Sequence, residues 1–246
     1  MGSDNMLVVK KGDIEIKVSE HPFGMGWWTD VYPTWEQNTF KVFDRFLEPS
    51  MEYLDLGFYL GQTIIYAAHK VKNAYGIDLD LVAYNAGIKN INCNNLKNVK
   101  TKMCAISDKK GYVSLQGVQG GSSRRIVEKH QQQEQNLVQS LTLQDLSELW
   151  GVKKFDFIKI DIEGAEEFVL PSMVEYCGDK KPIIWLSIHK HYGATSKTIG
   201  DFIRSCNYRA YTVSELGVEK DITRNIEECI DRGPSGFGND LLLKCD

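Results

Sequence analysis

The sequence lacks the features that three large classes of protein need. Its six cysteines include no Cys-x-x-Cys pair and no compact spacing, which argues against a disulfide framework or a structural zinc site. No apolar run approaches the length that crosses a membrane, and no signal-peptide pattern is present. The formal net charge of −4 supplies no basic field for nucleic acid or anionic lipid. We therefore expect a cytoplasmic protein with reduced thiols and with no membrane or nucleic-acid partner.

A dinucleotide-binding glycine triplet is also missing from residues 53–80. This stretch reads as strand, tight turn, helix and strand, and it carries Asp55-Leu-Gly57 followed by Gly61. The pattern Asp-x-Gly-x-x-x-Gly, in place of Gly-x-Gly-x-x-Gly, argues against NAD or FAD. Asp78 ends the second strand about twenty residues later, where a carboxylate accepts hydrogen bonds from ribose hydroxyls. An adenosine ligand with a small zwitterionic tail, such as S-adenosylmethionine, fits; alternatively, the glycines only shape a turn and Asp78 only caps a helix.

The order of the predicted elements indicates an α/β fold. Hydrophobic residues make up 42% of the chain and charged residues 25%, as in ordinary globular proteins. The near-continuous apolar strand at 155–161 is typical of the centre of a parallel sheet. Two late strands, at 208–213 and 240–244, lack a full crossover helix between them. We predict a mostly parallel, seven-stranded sheet with one antiparallel edge strand.

We expect a single compact domain with an N-terminal extension. Residues 1–50 are predicted to form a hairpin (6–18), an aromatic segment and a helix (35–47) begun by a capping box at Thr34, all packing on the core. Residues 51–246 are predicted to form the cofactor-binding domain. The initial Met-Gly-Ser is typical of a cloning scar, which leaves open that the chain is one domain of a longer protein.

Three motifs occur together in this chain: Thr34-Trp-Glu36, Asp55-Leu-Gly57 with Gly61, and Lys159-Ile-Asp-Ile-Glu-Gly-Ala-Glu166. As a set they resemble the FkbM-like S-adenosylmethionine-dependent methyltransferases, over about residues 32–190. The last motif is the most specific of the three. The resemblance implies a Rossmann-like class I methyltransferase sheet and methyl transfer to oxygen, often a sugar or polyketide hydroxyl.

Two positions depart from the family pattern. Tyr59 stands where the family usually has Asn, and Ser187 replaces the Glu of a Glu-x-His sequence whose histidine is His189. Glu36 is placed near the cofactor by the resemblance, although an acid at a helix start also complements the helix dipole. The predicted cofactor-binding residues are Glu36, Asp55, Gly57, Tyr59, Gly61, Thr63, Asp78 and Ala105.

Methyl transfer to a hydroxyl needs alignment of the reacting atoms and a base for the proton. Asp161, Glu163 and His189 follow buried strands and are predicted to be catalytic, because ligand crevices lie at carboxyl ends of strands. Burial is expected to raise the aspartate pKa and to lower the histidine pKa. No metal ligand is assigned, but an open alternative is that His189, His191 and Asp161 hold a divalent ion. Alternatively, Asp161 and Glu163 are only acids at the start of a helix, and His189 has only a structural role.

The chain is therefore predicted to be an enzyme, an S-adenosylmethionine-dependent O-methyltransferase. Its expected acceptor is a hydroxyl of a sugar, a glycan or a similar small polyhydroxylated molecule. Alternatives are an RNA methyltransferase and a non-catalytic nucleoside-binding or interaction module. The polar stretch 117–136 is predicted to cover the acceptor, and within it residues 122–125 either bind a phosphate or form a solvated loop. Fusion to other glycan-building domains in a longer chain also remains open.

Overall fold

The computed structural model describes residues 6–121, 125–127, 137–232 and 240–245. The strands are β1 Leu7–Lys11, β2 Ile14–Val18, β3 Glu52–Leu56, β4 Asn73–Asp78, β5 Val99–Met103, β6 Ala105–Ile106, β7 Gly111–Gln116, β8 Arg125–Val127, β9 Leu137–Leu141, β10 Phe157–Ile160, β11 Ile183–Ser187, β12 Arg209–Val213, β13 Glu219–Asp221 and β14 Asp240–Lys244. The helices are α1 Gly26–Asp30, α2 Gln37–Phe46, α3 Gln62–Ala68, α4 Leu81–Cys93, α5 Leu143–Trp150, α6 Glu166–Lys180, α7 Ser196–Ser205 and α8 Ile226–Arg232. Among these described residues, no helix is long and apolar enough to cross a membrane.

A mixed eight-stranded sheet in the order β5-β4-β3-β10-β11-β14-β12-β13 forms the centre of the fold. Strands β5, β4, β3, β10 and β11 pair in parallel, whereas β14 is antiparallel to both of its neighbours. The predicted seven strands with one antiparallel edge strand were therefore wrong in count and in placement. The three buried leucines of β14 require cover on both faces, which an interior position provides, and short, exposed β13 takes the edge.

The central strand β10 is buried along its whole length. Its alternating side chains divide between two cores, with Ile158 and Ile160 on one face and Phe157 on the other. Lys159 is the exception to an apolar strand, since it is only 1% exposed. A buried ammonium needs acceptors, and this requirement places acidic groups around the end of the strand.

The N-terminal segment packs a hairpin and an aromatic cluster on the sheet. The predicted hairpin is confirmed, with β1 and β2 paired from Leu7↔Val18 to Lys11↔Ile14. The predicted capping box at Thr34 was wrong, because α2 follows a left-handed Glu36 without a side-chain cap. The Thr34 hydroxyl instead donates to the Val31 carbonyl, inside a turn that precedes the helix.

A second, four-stranded sheet in the order β6-β9-β7-β8 adjoins the main one. Thr142 caps α5 through a reciprocal capping box with Asp145, as the pattern Thr-x-x-Asp favours. Much of the predicted cover at 117–136 lies outside the described residues, as do 122–124 of the predicted phosphate-binding run. Arg125, the remaining member of that run, packs its guanidinium 4.4 Å from the ring centroid of Tyr192.

Candidate active site

A cavity of about 760 Å³ opens where the parallel strands end. All the predicted site residues line it except Asp55 and Gly61. Gly61 instead begins α3 with a φ of 91°, a conformation that glycine adopts without strain. The volume of the cavity lies within the range of small-molecule pockets, about 300–1,000 Å³. Most of the residues that the sequence singled out, which are far apart along the chain, therefore lie together in one concave site.

Asp78 ends β4 and forms the acidic part of one half of this cavity. Its Oδ2 accepts the Tyr59 backbone N–H and its Oδ1 accepts the Asp80 backbone N–H, both at 2.9 Å. Burial raises the pKa of Asp78 to about 7, against the opposing effect of these two hydrogen bonds. Two fixed backbone donors hold the carboxylate in one orientation, while each oxygen keeps acceptor capacity for a ligand hydroxyl.

Tyr59 connects this half of the cavity to a neighbouring turn. Its backbone is left-handed, with a φ of 48°, and its hydroxyl donates to the Gly120 carbonyl at 2.9 Å. The Gly120 N–H in turn donates to Oδ1 of Asp80, and Gly121 lines the cavity. The departure from Asn at position 59 thus gives this chain a tether for the turn that borders the site.

Gly57 packs against the end of β10 as well as lining the cavity. Its φ is 89°, and a Cβ placed there would lie 2.0 Å from the Asp161 carbonyl oxygen. Any side chain would therefore displace the backbone that carries Asp161. The absence of a side chain at Gly57 therefore serves the close approach of the residue that follows β10.

Asp55 is fully buried and does not line the cavity. Its Oδ2 accepts from the Tyr53 hydroxyl at 2.9 Å and from the Thr63 hydroxyl at 2.6 Å, while its Oδ1 has no hydrogen-bond partner among the described residues. Burial raises the pKa of Asp55, and the nearby Lys159 opposes this shift. Asp55 therefore positions Thr63, which does line the cavity, and contributes negative charge near the buried lysine.

The other half of the cavity holds Asp161, Glu163 and His189, which we call the acidic–histidine cluster. Their ligand atoms all lie within 4.8 Å of one another. His189 Nε2 is 3.5 Å from Oδ1 of Asp161 and 3.7 Å from Oε2 of Glu163. Glu163 has a left-handed backbone, with a φ of 51°, and Lys159 Nζ donates to Oδ2 of Asp161 at 2.8 Å. Local backbone geometry and a buried lysine thus aim both carboxylates at one imidazole.

Two of the three pKa shifts within this cluster have the opposite sign to that expected from burial alone. Burial would lower the pKa of His189, but its carboxylate neighbours raise it to about 9. Burial would raise the pKa of Asp161, but Lys159 and then His189 lower it. Only Glu163 follows burial, which raises its pKa to about 7. The predicted pKa directions for the aspartate and the histidine were wrong, because charged partners outweigh desolvation here.

Two further acids contact this half of the site and were not singled out from the sequence: Asp240 lines the cavity, and Glu166 lies behind His189. Glu166 is fully buried at the start of α6, and its Oε1 lies 2.7 Å from His189 Nδ1. Asp240 lines the cavity from β14, and its Oδ1 accepts from the Ser187 hydroxyl at 2.7 Å. Glu166 was visible as the last residue of the motif at 159–166. No local signal marked Asp240, because its pairing with Ser187 exists only in the folded sheet.

His191 takes no part in this cluster. Strand β11 ends at Ser187, so the alternation that would align His191 with His189 does not continue. His191 lies instead in an exposed 3-10 turn at Lys190–Tyr192, with its ring 3.9 Å from that of Tyr192. The alternative of a metal bound by both histidines and Asp161 is therefore wrong in its choice of ligands.

The N-terminal extension supplies the remaining wall. The Trp185 indole donates to the Thr39 hydroxyl at 3.0 Å, and this hydroxyl donates to Oε2 of Glu36 at 3.0 Å. Burial raises the pKa of Glu36 to about 8. The buried Lys11 ammonium donates to the carbonyls of Tyr32 and Trp35 and so shapes the turn before Glu36. Four rings, which we call the aromatic wall, complete this side: His21, Phe23, Trp27 and Trp35.

This arrangement defines a class of protein. The main sheet is open and largely parallel, and the crevice lies at the carboxyl ends of its strands. A carboxylate, Asp78, ends β4. This is the arrangement of class I S-adenosylmethionine-dependent methyltransferases. The family model described as the methyltransferase FkbM domain matches residues 51–210, and the chain belongs to this family. It is thus a member of a methyltransferase family that uses S-adenosylmethionine.

One solved structure supports this fold, and a second shows a weaker similarity. A methyltransferase FkbM from Methylobacillus flagellatus KT is similar at a TM-score of 0.51 and 14% identity, over 80% of this chain. This chain spans only 44% of the length of that protein. TYW2 from M. jannaschii, solved in complex with AdoMet, is similar at a TM-score of 0.47 and 12% identity, over 99% of this chain and 86% of the other. The first similarity supports the fold, and the second carries no argument about function.

Proposed function

We propose that the protein transfers a methyl group to a hydroxyl oxygen of a sugar, a glycan or a similar small polyhydroxylated acceptor. The observation that carries this proposal is the acidic–histidine cluster, which shares a cavity with Asp78 and faces the same space as the aromatic wall. Carboxylates orient hydroxyl groups, and aromatic rings stack against the apolar faces of sugars. Phe23, which is 65% exposed, offers such a face at the cavity mouth.

The side chains in the half of the cavity around Asp78 fit S-adenosylmethionine. Asp78 would accept hydrogen bonds from the ribose hydroxyls, because it lines the cavity and each of its oxygens accepts one backbone N–H and has a further lone pair. Leu79, Ala105 and Ile106 would bound the base beyond the ribose, since they line the cavity next to Asp78. Glu36, Gly57 and Thr63 would lie towards the methionine end, nearer the acidic–histidine cluster.

When bound, the cofactor supplies an electrophilic methyl group: the acceptor oxygen bonds to its carbon as the carbon–sulfur bond breaks, which turns the sulfonium into a thioether. Asp161, whose orientation is fixed by Lys159, would hold the acceptor hydroxyl in line with that bond. The hydroxyl proton passes to a carboxylate of the cluster and from there to solvent. The cation His189, between Asp161 and Glu163, would keep both carboxylates in place.

The charge of the lining favours a neutral acceptor over a phosphate-bearing one. Six acidic side chains line the cavity, and the basic side chains among its described lining residues are Lys159, His21 and His189. An RNA backbone would bring further negative charge into this space, whereas cationic grooves are what nucleic-acid binding requires. These observations support the sugar or glycan class and count against the RNA alternative.

The test is methyl transfer from isotope-labelled S-adenosylmethionine to a panel of monosaccharides, oligosaccharides and one unstructured RNA. We expect label in at least one sugar hydroxyl and none in RNA. Asp161→Asn and His189→Ala should each lower kcat by roughly 100-fold or more, the scale of a lost proton acceptor or its positioning. Affinity for S-adenosylhomocysteine should change by a few-fold at most, measured by calorimetry. Tight cofactor binding with no transfer to any acceptor would support a non-catalytic binding module instead.

A further inference from the structure

We propose that the acidic–histidine cluster is a divalent-cation site, ligated by Oδ1 of Asp161, Oε2 of Glu163 and Nε2 of His189. The three ligand atoms lie within 4.8 Å of one another on the cavity surface. This inference rests on the proposed function, because it assigns the ion a role toward the acceptor.

The spacing of these atoms suits a shared ion better than direct hydrogen bonds. His189 Nε2 lies 3.5 Å from Asp161 and 3.7 Å from Glu163, which is too long for a strong hydrogen bond. Two ligands that share an ion at about 2.1 Å lie roughly 3.0–3.4 Å apart. A small inward adjustment of the side chains therefore produces bonding distances to one ion.

A buried outer partner prepares the histidine for this task. Glu166 is 0% exposed, and its Oε1 is 2.7 Å from Nδ1 of His189. A carboxylate accepts hydrogen bonds, so Nδ1 keeps its proton when an ion displaces the proton from Nε2, and the Nε2 lone pair then faces that ion. Oε2 of Glu166 has no hydrogen-bond partner among the described residues, so His189 is the partner through which this buried carboxylate is held. Metal-binding histidines are commonly oriented by such a carboxylate.

Lys159 performs the equivalent orientation for Asp161. Its ammonium donates to Oδ2 of Asp161 at 2.8 Å, which leaves Oδ1 directed at the histidine. Two carboxylate oxygens and one imidazole nitrogen form a mixed ligand set that suits Mn²⁺ and related divalent ions. In Asp161 and His189, the polar atom that does not face the ion is bound by Lys159 and Glu166, respectively. The second oxygen of Glu163 is free to face the acceptor.

Three protein ligands leave coordination positions open on the cavity side. Two neighbouring hydroxyls of a sugar can occupy such positions, and an ion there lowers the pKa of a bound hydroxyl. The site thus points to an acceptor with a vicinal diol. The second oxygen of Glu163 remains available to receive the proton of the hydroxyl that is methylated.

The test is calorimetric and paramagnetic titration of the metal-stripped protein with Mn²⁺ alone. We expect one site in the wild type and at least tenfold weaker binding in His189→Ala. Glu166→Gln should weaken Mn²⁺ by roughly 10- to 100-fold through loss of the outer carboxylate. The matched control is Glu167→Gln, whose carboxylate binds Thr195 and Thr198 away from the cavity, and its affinity should be unchanged. If Glu166→Gln does not fold, His189→Ala decides the outcome.

S-adenosylhomocysteine binding by the same variants separates this inference from the proposed function. Absence of Mn²⁺ binding to the wild type, or unchanged binding in His189→Ala, overturns the cation site while methyl transfer still stands. Full transfer activity in metal-stripped protein with EDTA present also overturns it. Mn²⁺ binding that is lost in His189→Ala supports the site even if no sugar in the panel is methylated, in which case the proposed function alone fails.

Discussion

Asp78 allows the sharpest test of the cofactor half of the cavity. Burial raises its pKa to about 7, so its charge changes near neutral pH. The ionised carboxylate accepts hydrogen bonds from ribose hydroxyls, whereas its protonated form has lost part of this capacity. Below its pKa, the Asp78 carboxyl is mostly protonated, and a ligand that binds only the carboxylate must displace this proton. We therefore expect the affinity for S-adenosylhomocysteine to fall by about tenfold per pH unit below that pKa.

The variant Asp78→Asn removes this titration while keeping the size of the side chain. A hydrogen bond to a charged group contributes roughly 1.5–3 kcal/mol, so affinity above the pKa should weaken by roughly 10- to 150-fold. The logarithm of its affinity for S-adenosylhomocysteine, plotted against pH, should lack the slope that Asp78 gives the wild type. The assay is titration calorimetry with S-adenosylhomocysteine across about two pH units on either side of neutrality.

Other titrating groups line the cavity, so the difference between the two profiles isolates Asp78. Glu36, with a pKa near 8, and Glu163, with a pKa near 7, remain in both proteins. The asparagine amide has one acceptor oxygen, so it can pair with only one of the backbone N–H groups of Tyr59 and Asp80. Melting curves must therefore show that the variant is folded. Equal slopes and equal affinities in the two proteins would refute the ribose assignment.

Two further predictions concern the walls of the site. Tyr59→Phe removes the hydroxyl that holds the bordering turn, and we expect a roughly 2- to 10-fold loss of S-adenosylhomocysteine affinity, the size of one hydrogen bond, with faster amide exchange in that turn. Tyr112→Phe, on a ring that is 70% exposed, is the control, and equal effects of both would contradict the tether. Gly57→Ala places a Cβ 2.0 Å from the Asp161 carbonyl oxygen at a φ of 89°, so urea unfolding should show a loss of at least about 2 kcal/mol. Gly178→Ala, in α6 with nothing within 4 Å of the added Cβ, should stabilise by about 0.5–1 kcal/mol, and a mild effect at Gly57 would show that the strand can move.

Much of the architecture followed from local patterns. The hairpin at the N-terminus and the capped start of α5 lie where short-range signals placed them, since such elements depend on residues within a few positions. The place of β14 did not follow, because strand order depends on which faces need cover across the whole sheet. The turn before α2 was also mispredicted, since the buried Lys11 ammonium binds its carbonyls from a strand more than twenty residues earlier.

Local sequence patterns identified the motif residues and their order along the chain: a glycine turn after β3, a carboxylate at the end of β4, and a run from Lys159 to Glu166 that spans the end of the buried strand β10. These are local facts, because a strand end and its next few residues carry the same signals wherever the strand lies. Three features depend on contacts between distant parts of the chain: Asp240 lines the site, Glu166 orients His189, and the pKa of His189 is raised. A pKa depends on the distances to charges on other elements, and those distances exist only once the strands have taken their places in the sheet.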